Sequence, residues 1–162
     1  MSKDFTKLHQ FLRQESVLTL STHDNEGDWS APVLYVADTA QDPFALYFLS
    51  SSNSRHVKAL AEGDRAAASI YSDYTGQWQS ICGAQMQVRI SVLNKAETEK
   101  AQQVYFDRFP EIKALINDPK TKQEQLIGAA FAKSFFYRAD PSFVRFINNS
   151  DSFAGRTEWH FA

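Results

Sequence analysis

Cysteine is nearly missing from this sequence: Cys82 stands alone among 162 residues. No intrachain disulfide can form, which fits a reducing compartment, so burial rather than cross-linking must hold the fold. At this length one domain over residues 1–162 buries a sufficient core without staples. Long apolar runs are missing too, and no stretch approaches the roughly 20 residues that a membrane-spanning helix needs. Residues 1–14 interleave Lys3, Asp4, Lys7 and Arg13 with apolar side chains, unlike a secretory leader. The expectation is a cytoplasmic protein with no membrane partner. Neither sign of charge dominates: 17 Lys and Arg against 19 Asp and Glu leave a formal net charge of −2. Nucleic acid calls for a concentrated basic face, so it is not an expected partner. There is no repeat, low-complexity tract or Pro/Gly-rich linker, and no P-loop, dinucleotide fingerprint or nucleophile elbow. The four histidines, His9, His23, His56 and His160, are scattered, with no His or Cys at ligand spacing, so no metal site is expected.

What is present is aromatic and β-forming. Phe alone supplies 13 residues, a load that favours strands and buried interfaces. Phe5, Leu8, Phe11 and Leu12 recur at helical spacing and predict a short amphipathic helix over 3–15. The period then shortens. Residues 17–22 read as a strand, 24–27 as a turn, and 29–36 as a second strand. Pro32 lies inside that strand and cannot donate to a ladder, so the strand is an edge or kinked there, with a free edge open to a ligand. After a turn at 39–43, residues 44–50 are apolar on both faces, as in a fully buried strand.

Val57, Leu60 and Ala61 mark a short helix capped by Ser54 and ended at Gly63-Asp64. Residues 65–72 read as a strand whose three consecutive alanines imply close packing against something bulky. Residues 78–92 alternate strictly, with Cys82, Ala84, Met86, Val88, Ile90 and Val92 on one face, which predicts a long half-buried strand. Such length calls for a bend or bulge, placed here at Gly83. Asn94 with Glu97 opens a helix in capping-box fashion, running to about Arg108, and Phe109-Pro110 stops it. Helical pieces over 111–117 and 121–131 follow, then β segments at 134–138, 143–147 and 157–161. This order is mainly β (α+β): an antiparallel split β-barrel with peripheral helices, not alternating βαβ units.

The most informative stretch is 46–58, where a buried strand runs into Ser50, Ser51, Ser52, Asn53 and Ser54 and then Arg55, His56 and Lys58. Hydroxyls, helix-start amides and a guanidinium can together hold a phosphate. Taken alone, the stretch is better explained as a helix capped by Ser54 beside a solvated loop. Cys82, on an apolar face, reads as packed rather than reactive. Asp38 and Asp42 read as turn residues rather than a catalytic dyad. Trp29, Trp78 and Trp159 suit either a planar-ligand cavity or core and interface packing.

The wider pattern changes the balance. Residues 17–92 resemble the pyridoxamine 5′-phosphate oxidase-like, FMN-binding split-barrel superfamily, and are nearest a small uncharacterised bacterial branch of it. The resemblance is carried by the 17–22 strand, the hairpin into Ser30-Ala31-Pro32-Val33-Leu34-Tyr35, the 46–50 strand leading into Ser54-Arg55-His56, the 65–71 strand, and the strand opening at Trp78-Gln79. The Phe143-Val144-Arg145-Phe146 segment fits more loosely.

The resemblance implies a homodimer with FMN at the subunit interface. It places Pro32, Val33, Leu34 and Tyr35 against the flavin ring. Ser50, Ser54, Arg55 and His56 fall at the phosphate, Gln79 on the cofactor and Arg145 near the ring. It makes the chain a flavoprotein and a candidate FMN-dependent oxidoreductase of unknown substrate, its catalytic residues unassigned. Departures narrow this. His56 replaces a lysine, Ser30 and Tyr35 replace basic residues of the proline-bearing strand, and Phe143 stands where the oxidases carry a substrate histidine. Pyridoxamine-phosphate oxidation is therefore not expected. The alternative is a non-catalytic dimeric ligand-binding or stress-related protein on the same scaffold that has lost tight FMN binding. A haem- or deazaflavin-binding relative is a third option, without a named haem ligand.

Overall fold

A computed structural model describes residues 5–60 and 64–161. The chain runs α1 (Thr6–Gln14), β1 (Val17–Asp24), β2 (Gly27–Asp38), β3 (Ala45–Ser50), α2 (Arg55–Leu60), β4 (Arg65–Tyr71), a 3₁₀ turn (Trp78–Ser80), β5 (Cys82–Val92), α3 (Lys95–Arg108), α4 (Pro110–Asn117), α5 (Lys122–Ala132), β6 (Phe135–Asn148) and β7 (Arg156–His160). The seven strands form one antiparallel sheet in the order β3-β2-β1-β4-β5-β6-β7. A further β3–β6 pairing closes six of them into a barrel, with β7 added outside on β6. This is the expected mainly-β split barrel with peripheral helices. The start of the predicted first helix, Ala61 and Gly63 lie outside the described residues.

Two apolar clusters explain why the elements sit where they do. The barrel interior holds Leu18 and Leu20 of β1, Leu46 and Phe48 of β3, Met86 and Val88 of β5, and Leu8 and Leu12 of α1, which plugs one end. A second cluster lies outside the barrel, where Ala45, Tyr47 and Phe136 meet Ala101 and Tyr105 of α3, Phe109 at the α3–α4 junction and Ile112 of α4. β3 faces both clusters, which is why its sequence is apolar on both sides. α3 starts at the expected capping box, with Asn94 and Glu97 each accepting the other's backbone N–H at 3.0 Å. Pro110, read as a stop, opens α4 at its first turn, where a missing N–H costs nothing. Buried Asp38 accepts from Gln41 Nε2 (2.6 Å) and Lys100 Nζ (2.7 Å), a turn-and-helix tie rather than an acid pair. Among the described residues no helix is long and apolar enough to cross a membrane.

The later strands differ from the sequence reading. Residues 78–80 form a 3₁₀ turn, and the strand starts at Cys82. The turn is held from afar: Asn149 Nδ2 donates to Trp78 O at 3.1 Å. The irregularity placed at Gly83 lies instead between Gln87 and Val88, which pair with Phe143 and Pro141 and leave Ser142 unopposed. That bulge absorbs the proline. The segments 134–138 and 143–147 are thereby one continuous strand, β6.

Candidate functional site

The β1–β2 hairpin sets the site's first wall. Its turn is tight because Gly27 takes φ +113° and Asp24 Oδ1 accepts the Glu26 N–H at 2.9 Å. Tyr35 N–H donates to Ser16 O at 3.0 Å, so hydrogen-bonded pairs with β1 fall on Val33, Ala31 and Trp29, and Pro32 lies between them. The missing N–H of Pro32 therefore faces the opposite edge. β3 pairs with β2 only from Tyr35 to Asp38, so among the described residues nothing pairs with that edge over 27–34. This is the free edge expected from the proline.

Alternation sorts the four ring-facing candidates. Pro32 is exposed and Leu34 half-buried, whereas Val33 and Tyr35 point into the core. Tyr35 OH donates to Leu12 O at 2.7 Å. Val33 and Tyr35 thus turn their side chains into the core and their backbone groups toward β1, and the free edge carries the backbone of Ser30, Pro32 and Leu34.

β3 ends at Ser50, and the chain turns through Ser51–Ser54 into α2, which packs beside β1 and β2. Ser50 Oγ lies 2.8 Å from His56 Nε2, and Ser54 Oγ lies 3.2 Å from both. Ser54 Oγ also donates to Ser51 O at 2.8 Å, closing the turn. Ser50 and His56 are buried, and burial pushes the imidazole below its ordinary value, which favours its neutral form. The structure brings Ser50, Ser54 and His56 together as the sequence implied, but without the fixed charge of the lysine that His56 replaces.

Arg55 has a partner that the sequence did not disclose. Its Nε donates to Asp24 Oδ2 at 2.9 Å and its Nη2 to Asp24 Oδ1 at 3.0 Å, a bidentate pair. Glu26 lies 3.8 Å from Nη1, and the guanidinium stacks 4.6 Å above the Trp29 ring. The hydrogen bond to Arg55 holds the Asp24 carboxyl below the usual carboxylate range. No local signal reveals this pair, since 31 residues separate its members.

The remaining candidates lie apart. Gln79 is exposed in the 3₁₀ turn and borders a cleft with Lys7, Gln14, Cys82 and Asp151. Arg145 Nε donates to Glu158 Oε1 at 2.7 Å across β6 and β7. Neither joins Ser50 and Arg55 within one chain. The tryptophans separate as well: Trp159 is in the core, Trp78 meets Phe153 edge-on at 5.6 Å, and Trp29 lies under Arg55. Cys82 is half-buried, and burial with Glu15 and Asp151 nearby lifts its thiol to about 11, so it stays protonated. A separate open groove of about 620 Å3 crosses the outer sheet face, lined by Ser21, Ala67, Gln87, Arg65 and Arg89. Ala67, read as closely packed, stands exposed there, while Ala68 fills the core.

No protein-family model matches the chain. A UPF0306 protein of Yersinia pestis is 29% identical over 107 residues, covering 66% of this chain and 71% of that protein. Among solved structures, a heme-binding protein of Mycobacterium smegmatis superposes with a TM-score of 0.70 at 15% identity, over 99% of this chain and 59% of that one. An FAD-binding protein of Mesorhizobium loti gives 0.61 at 12% identity, over 88% and 92%. A candidate pyridoxamine 5′-phosphate oxidase of Listeria innocua gives 0.61 at 12% identity, over 88% and 96%.

Proposed function

We propose that this chain, which has the split-barrel fold of the pyridoxamine 5′-phosphate oxidase-like proteins and resembles an uncharacterised bacterial branch of them, binds a planar phosphorylated ligand, FMN foremost, and does so as a homodimer. One observation carries the reading. The unpaired edge of β2 over 27–34 begins where β3 parts from β2 two residues before Ser50, whose hydroxyl meets Ser54 and His56, and carries Trp29 under Arg55. A flat ring has backbone donors and acceptors there, with Pro32 and Leu34 to lie against, and a phosphate at its end would draw the Ser50 and Ser54 hydroxyls away from His56 and Ser51 O. Bound FMN would supply one- and two-electron transfer, making the chain an oxidoreductase of unknown substrate. The protein's own share is to orient the ring and hold the anion. Neighbours of the same fold whose names record FAD or heme binding support a planar ligand in general terms.

The residues fit the ring better than they fit the phosphate, since the Ser50 and Ser54 hydroxyls already have partners. Arg55 is committed to Asp24, and burial favours the neutral form of His56. That observation favours a second reading: a non-catalytic dimeric binding or stress-related protein on the same scaffold that holds FMN weakly or holds another ligand.

Absorbance and fluorescence titrations of the purified protein with FMN, FAD and riboflavin separate the two. Saturable binding that prefers FMN over riboflavin supports the phosphate corner and justifies a screen with reduced nicotinamides. No binding at tens of micromolar leaves the second reading. Haemin added in parallel serves the heme option, whose sign would be a Soret band.

A further inference from the structure

We propose that Asp24 is a built-in competitor for the anion seat at Arg55, so that a phosphorylated ligand gains the Nε–Nη2 fork of the guanidinium only by displacing the Asp24 carboxylate at the β1–β2 hairpin tip. The proposal rests on the reading of Ser50, Ser54 and Arg55 as a phosphate corner, and names what regulates that corner.

The geometry is specific. A guanidinium offers a carboxylate or a phosphate the same two-pronged edge. Here the Nε–Nη2 edge is filled by Asp24 at 2.9 and 3.0 Å. One face of the guanidinium plane lies over Trp29 at 4.6 Å, and Glu26 sits 3.8 Å from Nη1. Asp24 therefore fills one of the guanidinium's two forks, and a phosphate arriving at the other, Nη1–Nη2, meets the repulsion of Glu26 beside it. The Asp24 side chain is only 13% exposed and that of Arg55 30% exposed, so the pair is better shielded from water than an ordinary surface ion pair.

The hairpin tip does not depend on the pair for its shape. Residues 25 and 26 are exposed, and the turn is closed by Gly27 and by the Glu26 amide on Asp24 Oδ1, contacts that do not need Arg55. Release would leave Arg55 over Trp29, in the open pocket that it lines with Asn53 and Lys58 next to the Ser51–Ser54 turn. The same arrangement selects among ligands. An uncharged planar molecule has no means of opening the pair, whereas a phosphate dianion exchanges one bidentate contact for another.

Asp24→Asn is the discriminating variant. Asparagine keeps the side-chain oxygen that accepts the Glu26 N–H but removes the negative charge. FMN and riboflavin are titrated into wild type, Asp24→Asn, and Asp24→Asn combined with Arg55→Ala. The expected result is FMN affinity raised about fivefold or more in Asp24→Asn, with riboflavin affinity unmoved and the gain erased in the double variant. Equal or weaker FMN binding by Asp24→Asn, with wild type binding normally, overturns the proposal and assigns Asp24 to positioning Arg55; the FMN reading then survives. If neither wild type nor Asp24→Asn binds FMN at tens of micromolar, the phosphate corner and its competitor both fall. Asp24→Ser, whose hydroxyl still accepts from the Glu26 amide, takes the place of Asp24→Asn if a thermal melt shows the latter misfolded.

Discussion

His56 is the residue whose environment has the clearest measurable consequence. Its Nε2 is 2.8 Å from Ser50 Oγ inside the α2–β3 corner, and burial lowers its pKa from the ordinary 6.5. Below that ordinary value the unfolded chain binds a proton that the folded chain refuses. Acidification therefore favours unfolding, and the penalty grows until the folded pKa is reached. His9 is shifted in the same direction by burial, with Pro43 O 3.0 Å from its Nε2 opposing the shift. His56→Gln, which keeps a polar partner for Ser50, is expected to reduce the loss of stability below about pH 6.5 while leaving the share due to His9. Urea denaturation at stepped pH reads this directly, and an unchanged slope would mean that His56 is not buried neutral. The residue types at this corner were legible in the sequence because Ser50, Ser54, Arg55 and His56 are close in the chain. The charge state was not: the bias of His56 toward its neutral form comes from burial, and the engagement of Arg55 from a hairpin tip 31 positions away.

At the scale of elements, local periodicity succeeded wherever one face of a strand or helix meets one core. β5 shows both the success and its limit. Ala84, Met86, Val88 and Ile90 are buried as the alternation required, but Val92 is 77% exposed and Trp78 lies in a 3₁₀ turn. The ends of that strand are set by partners, Asn149 at one end and the start of α3 at the other, and periodicity carries no information about them. β6 is the same case, its continuity through Pro141 resting on a bulge against β5.

The α4–α5 crossing gives a test of such non-local packing. A Cβ built on Gly128 would lie 1.9 Å from Leu115 O and 2.7 Å from Leu115 C, both rigid backbone atoms of α4. Gly128→Ala must therefore drive α5 away from α4, at a cost of about 1–3 kcal/mol. The strain is confined to the helical addition, whose contact with the barrel runs through the second apolar cluster. A lowered Tm is expected, with faster amide exchange in α4 and α5 and retained protection in β1, β4 and β5. Wild-type melting of this variant would show that the two helices cross less closely.

For the whole molecule, the issue is whether one chain completes the site. Within a single chain the β2 edge and the Ser50–Arg55 corner form one wall, while Gln79 borders a separate cleft and Arg145 is paired on the outer sheet. The resemblance assigns all of them to one ligand. One chain does not bring them together, so the proposed site requires the proposed homodimer, each copy lending residues to the other. If the ligand bridges two copies, binding and association are linked: FMN that prefers the dimer must pull monomers into it, and dilution that separates the copies must release FMN. Sedimentation velocity across a dilution series, with and without FMN, reads both directions of that linkage. The expected outcome is a dimer at micromolar concentration whose dissociation moves to lower protein concentration when FMN is present. A monomer at every concentration that still binds FMN would place the whole ligand on the β2 wall and remove Gln79 and Arg145 from the site. A dimer whose association ignores FMN would separate assembly from ligand binding and return the interface to a purely structural role.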